Sequence, residues 1–225
     1  LKDISADNLV SCIRDVLAGI EDPQVEVLRR VSPDARLGKA AALNDAWRHI
    51  DRVLESPRWA GWPRDRVLVV VVDADGRLDP EAPAYVAARF ADPKTGGLQV
   101  LVRIYNRSRF LTWFQDVEFA IYGLLYGAAR TVPGTAGMGG NGQFQRLLAL
   151  DDIADADSGG PWRDRLTEDQ DLGLRLIEAG WNGVAEHRTT VEQQGLPGLR
   201  RLLRQRTRWA QGNLQAMSQL GAVWR

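Results

Sequence analysis

The feature that most constrains the fold is an unbroken aliphatic run that ends in two aspartates, "RVLVVVVDADG" at residues 66–76. A continuous β-branched run predicts a strand buried on both faces of a parallel sheet, because such strands have no polar face. Asp73 and Asp75 then follow at the carboxyl end of that strand, where open α/β sheets place their ligand sites. The run therefore predicts a functional site at these two aspartates.

Helical and strand-like segments alternate along the chain, which indicates an α/β fold with helices flanking a mainly parallel central sheet. Apolar spacing predicts the helices, and β-branched content predicts most of the strands. We predict helices over residues 8–20, 38–54, 80–90, 110–129, 167–179 and 196–220. We predict strands over residues 24–30, 66–72, 97–106 and 184–192, and loops over residues 133–144 and 151–162.

Composition argues against several classes of function. The formal net charge is zero, with 29 basic and 29 acidic residues, so bulk charge gives no reason to expect a nucleic acid partner. Cys12 is the only cysteine, which rules out a disulfide within the chain. The longest aliphatic run, residues 67–72, is far shorter than the roughly 20 apolar residues that cross a bilayer. Because the chain begins at Leu1, we expect an internal piece of a longer protein.

Two carboxylates one residue apart serve two unrelated chemistries, and a solvated turn is the third explanation. Asp73 and Asp75 offer oxygen ligands for Mg²⁺, which takes one or two carboxylates together with substrate phosphates. The segment also resembles the first motif of haloacid-dehalogenase-type phosphatases, which implies Asp73 as nucleophile and Asp75 as acid. That family has a threonine where this chain has Arg77, and its later lysine is not matched by Lys94, which lies too close to the motif.

Two further segments carry candidate chemistry. "LTEDQDL" begins with Thr167, a capping residue, followed by acidic residues that suit a helix N-terminus. "RQRTRWAQGN" places Gln205, Arg208 and Trp209 at i, i+3 and i+4, which is one face of a helix. One arginine guanidinium can bind two phosphate oxygens at once. An indole offers a flat apolar face to a sugar. Packing of Trp209 into the core is the alternative.

The segments "GKAAALNDAW", "VDADG", "GGNGQF", "TEDQDL" and "QRTRW" occur in an order and at spacings that resemble family 2 inverting glycosyltransferases of the GT-A fold. The resemblance covers nearly the whole chain. It is nearest to the membrane-embedded, often processive branch that includes cellulose, hyaluronan and chitin synthases. It implies one catalytic domain over residues 1–225 without its first strand and its flanking transmembrane segments, located at the cytoplasmic face of the cell membrane.

The resemblance also implies roles for individual residues. Asp169 is expected to be the general base, and Asp73 and Asp75 are expected to face the donor and hold Mg²⁺ or Mn²⁺. The residues expected to bind the nucleotide or the donor diphosphate are Asp3, Lys39, Asp73, Gln205 and Arg208. The residues expected to bind the acceptor are Trp209, Glu168 and Asn141.

The implied reaction is metal-dependent transfer of a hexose from a nucleotide-diphosphate sugar, expected to be UDP-linked, to a hydroxyl of a growing polysaccharide or glycan. The expected partners are this donor, a glycan acceptor and, through segments outside the chain, a membrane. Transfer to a lipid-linked acceptor, the phosphatase and a non-catalytic binding domain remain alternatives. The helix over residues 110–129 is apolar on more than one side, and the resemblance favours a place on a membrane interface over the buried core.

Overall fold

The computed structural model describes Gly19, Asp22 and residues 24–216 of the chain. The chain divides into two compact units, Leu1–Leu37 and Gly38–Arg225. The described part of the first unit contains no helix and no strand, so the strand predicted over residues 24–30 is wrong. Apart from Gly19, the helix predicted over residues 8–20 lies outside the described residues, as does Asp3. The single domain over residues 1–225 stays a prediction.

The second unit is an α/β structure in which helices flank one five-stranded sheet. Its helices are α1 (Lys39–Glu55), α2 (Ala82–Arg89), α3 (Phe110–Ile121), α4 (Ala128–Thr131), α5 (Leu147–Asp152), α6 (Glu168–Glu178) and α7 (Leu199–Ala216). Its strands are β1 (Leu68–Val71), β2 (Arg77–Leu78), β3 (Thr95–Ile104), β4 (Gln143–Arg146) and β5 (Asn182–Gln193). A 3-10 turn at Arg64–Arg66 precedes β1, and a π-helical turn at Tyr122–Gly127 joins α3 to α4.

The sheet is mixed. The described strands are ordered β1-β4-β3-β5-β2. Strands β3 and β5 pair in parallel, from Thr95 opposite Asn182 to Ile104 opposite Gln193, whereas β1–β4, β3–β4 and β2–β5 pair antiparallel. The predicted α/β fold is confirmed, and the sheet differs from the prediction because only one of the described pairings is parallel.

The valine-rich run forms β1, but this strand lies at one edge of the described sheet. Val71 is buried, whereas Val70 is 41% exposed, so the predicted burial on both faces is wrong. Valine favours extended backbone because its branched side chain is restricted at χ1, and this preference is the same at an edge and at the centre. The run therefore predicts a strand without fixing its place in the sheet.

Strand β4 and helix α5 were not predicted. All four residues of β4 are buried although three of them are polar. The guanidinium of Arg146 donates to the carbonyl oxygens of Phe90, Asp92 and Thr95 at 2.9 to 3.0 Å. A buried polar strand whose partners lie far along the chain leaves no hydrophobic alternation in the sequence.

Two hydrophobic clusters hold the helices against the sheet. One joins α1, β1, α5 and α6 around Trp162, which is 1% exposed, and includes Ala40 and Leu172. The other joins α2 to β3, β4 and β5 through Val86 and Leu98 among others. Burial of apolar surface is the main favourable contribution to folding. The first cluster therefore fixes the start of α1 and the start of α6 against the strand that precedes Asp73.

The helix predicted over residues 110–129 runs from α3 through the π-helical turn into α4. Many of its large apolar side chains are exposed, which excludes a fully buried core helix. They are Phe110, Trp113, Phe114, Ile121, Tyr122, Leu124, Leu125 and Tyr126. Within the part of the chain that the structure describes, no helix is long and apolar enough to span a membrane.

Asn44 on α1 fixes the loop that precedes α6. Its side chain is buried, and Nδ2 donates to the carbonyl oxygens of Ser158 and Trp162 at 2.9 and 2.8 Å. The Oδ1 atom accepts a hydrogen bond from the backbone N–H of Trp162 at 2.9 Å. One amide therefore satisfies three backbone groups of a loop that has little regular structure of its own.

We expect Asn44→Ala to lower the free energy of unfolding by about 2–3 kcal/mol, because it leaves buried backbone groups unpaired. The measurement is urea unfolding followed by circular dichroism. Asp45→Ala is the matched control, since Asp45 forms a partly exposed ion pair with Arg48 and its loss is expected to cost about 0–1 kcal/mol. Equal losses in the two variants would contradict the role assigned to Asn44.

Candidate functional site

Asp73 and Asp75 lie in a tight turn directly after β1. The backbone N–H of Gly76 donates to the carbonyl oxygen of Asp73 at 2.7 Å and closes this turn. A Cβ atom at Gly76 would lie 2.7 Å from Asn141 Oδ1 and 2.9 Å from the Asp73 carbonyl oxygen, so no side chain fits there. The turn is thus pressed against the glycine-rich loop that carries Asn141.

The buried side chain of Asn141 fixes the turn that contains Asp73. Its side chain is 1% exposed, its Oδ1 accepts a hydrogen bond from the Asp73 backbone N–H at 3.1 Å, and its Nδ2 donates to Gln193 Oε1 at 3.0 Å. Both ends of the amide are therefore used by the protein. The acceptor contact of Asn141 stays a prediction, and the observed hydrogen bonds show that Asn141 positions Asp73.

Lys39, the first residue of α1, joins the two acidic motifs. Its Nζ lies 2.7 Å from Asp73 Oδ1 and 3.3 Å from Glu168 Oε1. Burial acts to lower the pKa of Lys39, but the hydrogen bonds and charges of Asp73 and Glu168 outweigh it and raise that pKa. The amine therefore stays protonated between the two carboxylates. The predicted place of Lys39 beside a nucleotide base stays a prediction.

Asp169 lies in the first turn of α6, against the glycine-rich loop. A Cβ atom at Gly140, where φ is +86°, would lie 2.9 Å from Asp169 Oδ2 and 3.7 Å from Lys39 Nζ. Burial and, after it, the charge of Glu168 raise the pKa of Asp169 to about 6, while the backbone N–H of Gln170 and the Lys39 amine oppose the shift. A carboxyl group with this pKa is largely ionised at pH 7 and suits proton transfer near neutrality.

Helix α7 packs against the start of α6 at Gly212, a residue that has no side chain. A Cβ atom at Gly212 would lie 2.5 Å from Oγ1 of Thr167, the residue before α6. Gln205 and Arg208 share a helical face with Gly212, at i, i+3 and i+7. The contact thus brings that face close to the start of α6. Arg208 is exposed, and it has neither a hydrogen bond nor an ion pair with any residue that the structure describes.

Trp209 packs on α3. Its ring meets Phe119 edge-to-face with centroids 6.2 Å apart, and the guanidinium of Arg206 lies 4.3 Å from the ring centroid. Arg206 is itself held by Glu118 at 2.6 Å. One face of the indole is therefore covered by Arg206. Stacking of Trp209 on an acceptor sugar stays a prediction.

Asp75 is the carboxylate best placed to bind a cation. It is exposed, and its Oδ2 accepts one long hydrogen bond, from the backbone N–H of Gln194 at 3.3 Å. Among the described residues, no group of three or more His, Cys, Asp or Glu could hold a metal ion alone. This arrangement fits a cation shared with substrate phosphates, since Mg²⁺ usually keeps several ligands that do not come from the protein.

Sequence reasoning missed the two glycines that bring this site together. Gly212 could have been found, because it continues the face of Gln205 and Arg208 by one helical turn. Gly140 could not have been found in this way. It is one of several glycines in its loop, and the sequence does not show which of them contacts Asp169. Asp3, expected at the nucleotide, lies outside the described residues.

The family model described as glycosyl transferase family group 2 matches residues 68–225 of this chain. The chain belongs to this glycosyltransferase family. The matched region includes Asp73, Asp75, Asp169 and the Q-x-x-R-W element. Membership of this family speaks against the phosphatase alternative, which is not retained.

Curated relatives cover most of the glycosyltransferase chain. A β-monoglucosyldiacylglycerol synthase from Synechocystis sp. is 32% identical over 195 residues, which are 86% of this chain and 36% of that protein. A poly-β-1,6-N-acetyl-D-glucosamine synthase from Staphylococcus aureus is 30% identical over 158 residues, which are 66% of this chain and 35% of that protein. The chain spans little more than a third of the length of these two relatives.

A solved structure shows the same fold as this glycosyltransferase. The mannosyltransferase from Pyrobaculum calidifontis, in complex with GDP-Man and Mn²⁺, superposes with a TM-score of 0.60 at 17% sequence identity. The superposition covers 96% of this chain and 52% of that chain. The likeness confirms the predicted GT-A fold.

We expect Lys39→Met to raise the pKa of Asp169 above its value of about 6, because a neighbouring cation favours the charged carboxylate. Glu168→Gln is expected to lower it, because it removes a neighbouring negative charge. Carbon NMR of carboxyl-labelled aspartate measures both shifts, with Asp169→Asn identifying the resonance. Lys39→Arg keeps the cation and serves as the control. Shifts of the same sign in Lys39→Met and Glu168→Gln would rule out this electrostatic account.

Proposed function

We propose that the chain is the catalytic domain of an inverting hexosyltransferase, which moves a sugar from a nucleotide-diphosphate sugar, most simply a UDP-sugar, to a hydroxyl group. The observation that carries the proposal is Asp169, a carboxylate with a pKa of about 6 that lies beside Lys39 and therefore beside the D-x-D turn. Direct displacement at the anomeric carbon needs one base and no protein nucleophile. A single base in this position supports inversion.

In the proposed reaction, the acceptor hydroxyl oxygen attacks the anomeric carbon of the donor sugar. The new carbon–oxygen bond forms while the bond from that carbon to the phosphate oxygen breaks, and the nucleotide diphosphate leaves with the electron pair. Asp169 accepts the hydroxyl proton. A positioned base of this kind contributes typically about 10²–10⁴-fold to the rate.

The leaving diphosphate needs positive charge. We assign Asp75, with Asp73, to holding Mg²⁺ or Mn²⁺, which when bound supplies a Lewis acid against the developing charge. The Mn²⁺ in the mannosyltransferase structure supports a divalent cation. Arg208, which has no partner among the described residues, is assigned to the phosphate oxygens because guanidinium binds them in pairs. Gln205, one turn earlier, shares this role.

The acceptor is proposed to be a hydroxyl-bearing lipid. Three relatives that match most of the chain are named β-monoglucosyldiacylglycerol synthases. The exposed apolar face of α3 and the π-helical turn suits a substrate delivered from a membrane, because such faces lie in the interface between headgroups and acyl chains. We accordingly place the domain at the cytoplasmic face of the cell membrane.

Extension of a polysaccharide is the second candidate. The Q-x-x-R-W element, which the sequence resemblance associates with the processive branch, and the similarity to a poly-β-1,6-N-acetyl-D-glucosamine synthase both favour it. The base, the cation and the donor site serve either acceptor in the same way. The two candidates therefore differ only in what lies against Asp169 on the acceptor side.

Asp169→Asn is expected to reduce turnover by about 10²–10⁴-fold, because the amide cannot accept the hydroxyl proton. The affinity for UDP should stay unchanged, since the side chain acts on the acceptor. Donor consumption measures the rate, and isothermal titration calorimetry measures the affinity. Asp157→Asn, a change of the same kind in an exposed loop, is the control. A loss of UDP affinity as large as the loss of rate would refute the assigned base.

Asp75→Ala is expected to abolish the dependence of UDP binding on Mn²⁺, because it removes the exposed carboxylate at the cation site. Calorimetric titrations of UDP and GDP, each with and without Mn²⁺, measure this and identify the preferred nucleotide. Glu55→Ala, which removes an exposed carboxylate at the end of α1, should bind like the unmodified chain. Unchanged metal-dependent binding by Asp75→Ala would show that Asp75 is not the ligand.

A further inference from the structure

A cleft of about 310 Å³ opens next to Asp169, between the π-helical turn, α6 and α7. Gln170, the residue after Asp169, lines it, and Leu174 and Ile177 continue the same face of α6 at i+4 and i+7. Small-molecule sites in proteins begin at about 300 Å³. The cleft is therefore large enough for part of a substrate, and its lining includes the residue that follows the proposed base.

The floor of the cleft is apolar. Met138, which is 2% exposed, lies beneath it together with Leu174 and Ile177. A Cβ atom at Gly173 would lie 3.1 Å from Met138 Cγ, so α6 sits directly on the methionine and closes the floor. A floor of aliphatic and thioether groups suits an alkyl chain, whereas sugars are held by polar groups and by the flat faces of aromatic rings.

Polar groups stand at the rim of the cleft. None of them is acidic, and within the described part of the chain none of these side chains has a hydrogen-bond partner. They are Tyr122, Arg130, Gln170 and Asn213. An apolar floor with a few convergent donors is typical of a site for an amphiphilic ligand, and these donors suit the carbonyl oxygens of esters.

The cleft continues into the exposed apolar face of the π-helical turn. Tyr122 lines the cleft and is also 50% exposed, with its ring stacked on Tyr126 at 6.0 Å. Ile177 lies about 12 Å along α6 from Asp169, from a rise of about 1.5 Å per residue. A ligand that follows α6 thus has one end at the base and the other near the surface of exposed aromatic side chains.

We propose that this cleft binds an acyl chain of a neutral diacylglycerol, with the free glycerol hydroxyl at Asp169. The inference rests on the proposed sugar transfer and names the acceptor class for it. The aliphatic floor selects a lipid over a glycan, and the rim donors contact the ester groups. The opening at Tyr122 lets the second chain remain in the membrane surface.

The experiment uses 1,2-dioctanoylglycerol as the probe and methyl NMR of the chain labelled at Met and Ile methyl groups. The methyl resonances of Met138 and Ile177 are expected to shift on titration. Ile177→Trp fills the floor and should raise the apparent dissociation constant by about tenfold or more. Glu178→Trp, the same side chain at the exposed neighbouring position, should leave that constant unchanged. UDP affinity, measured by calorimetry, should be unaltered in both variants.

The outcomes separate the cleft from the proposed function. Absence of shifts at both methyl groups overturns the cleft assignment, whether or not Ile177→Trp folds. Shifts with dioctanoyl phosphatidate but not with dioctanoylglycerol overturn the neutral lipid. Transfer of sugar to dioctanoylglycerol that Ile177→Trp does not impair overturns the cleft and keeps the reaction. Shifts at both methyl groups without any transfer support the binding site and overturn the lipid as acceptor in the proposed reaction.

Discussion

Acidic side chains from two motifs meet in a small volume, and the amine of Lys39 is the charge that allows them to do so. Asp73 and Glu168 both lie within 3.3 Å of it, and without this amine the two carboxylates would repel each other and oppose folding. The amine is placed by packing, because Ala40, the next residue, belongs to a hydrophobic cluster with β1 and α6. The electrostatics of the site thus depend on the core beneath it.

The same site is built from glycine backbones that lie against side chains of neighbouring segments. Gly76 meets Asn141, Gly140 meets Asp169, and Gly212 meets Thr167. Glycine permits such approaches and, at Gly140, the positive φ as well. Close backbone contact removes water from around Asp169, and this desolvation is the main cause of its raised pKa. The close packing around Asp169 therefore helps to set the pKa of its carboxyl group.

Local patterns predicted the parts of the site, and long-range contacts decided how they are used. The D-x-D after a valine run and the acidic start of α6 are readable because strand propensity and helix capping act over a few residues. The edge position of β1, the buried polar strand β4 and the internal role of Asn141 were not readable. Each depends on partners far along the chain, such as Gln193 for Asn141. The sequence around a residue does not reveal such distant partners.

The contact between Gly212 and Thr167 also limits how the proposed donor site can change through substitution. Because Gly212 already lacks a side chain, no substitution at this position can bring α7 closer to Thr167. Any side chain at position 212 would push the helix outward and carry the face of Gln205 and Arg208 away from α6. Substitution at position 212 can therefore only widen the proposed donor site, and a narrower site needs changes at other positions.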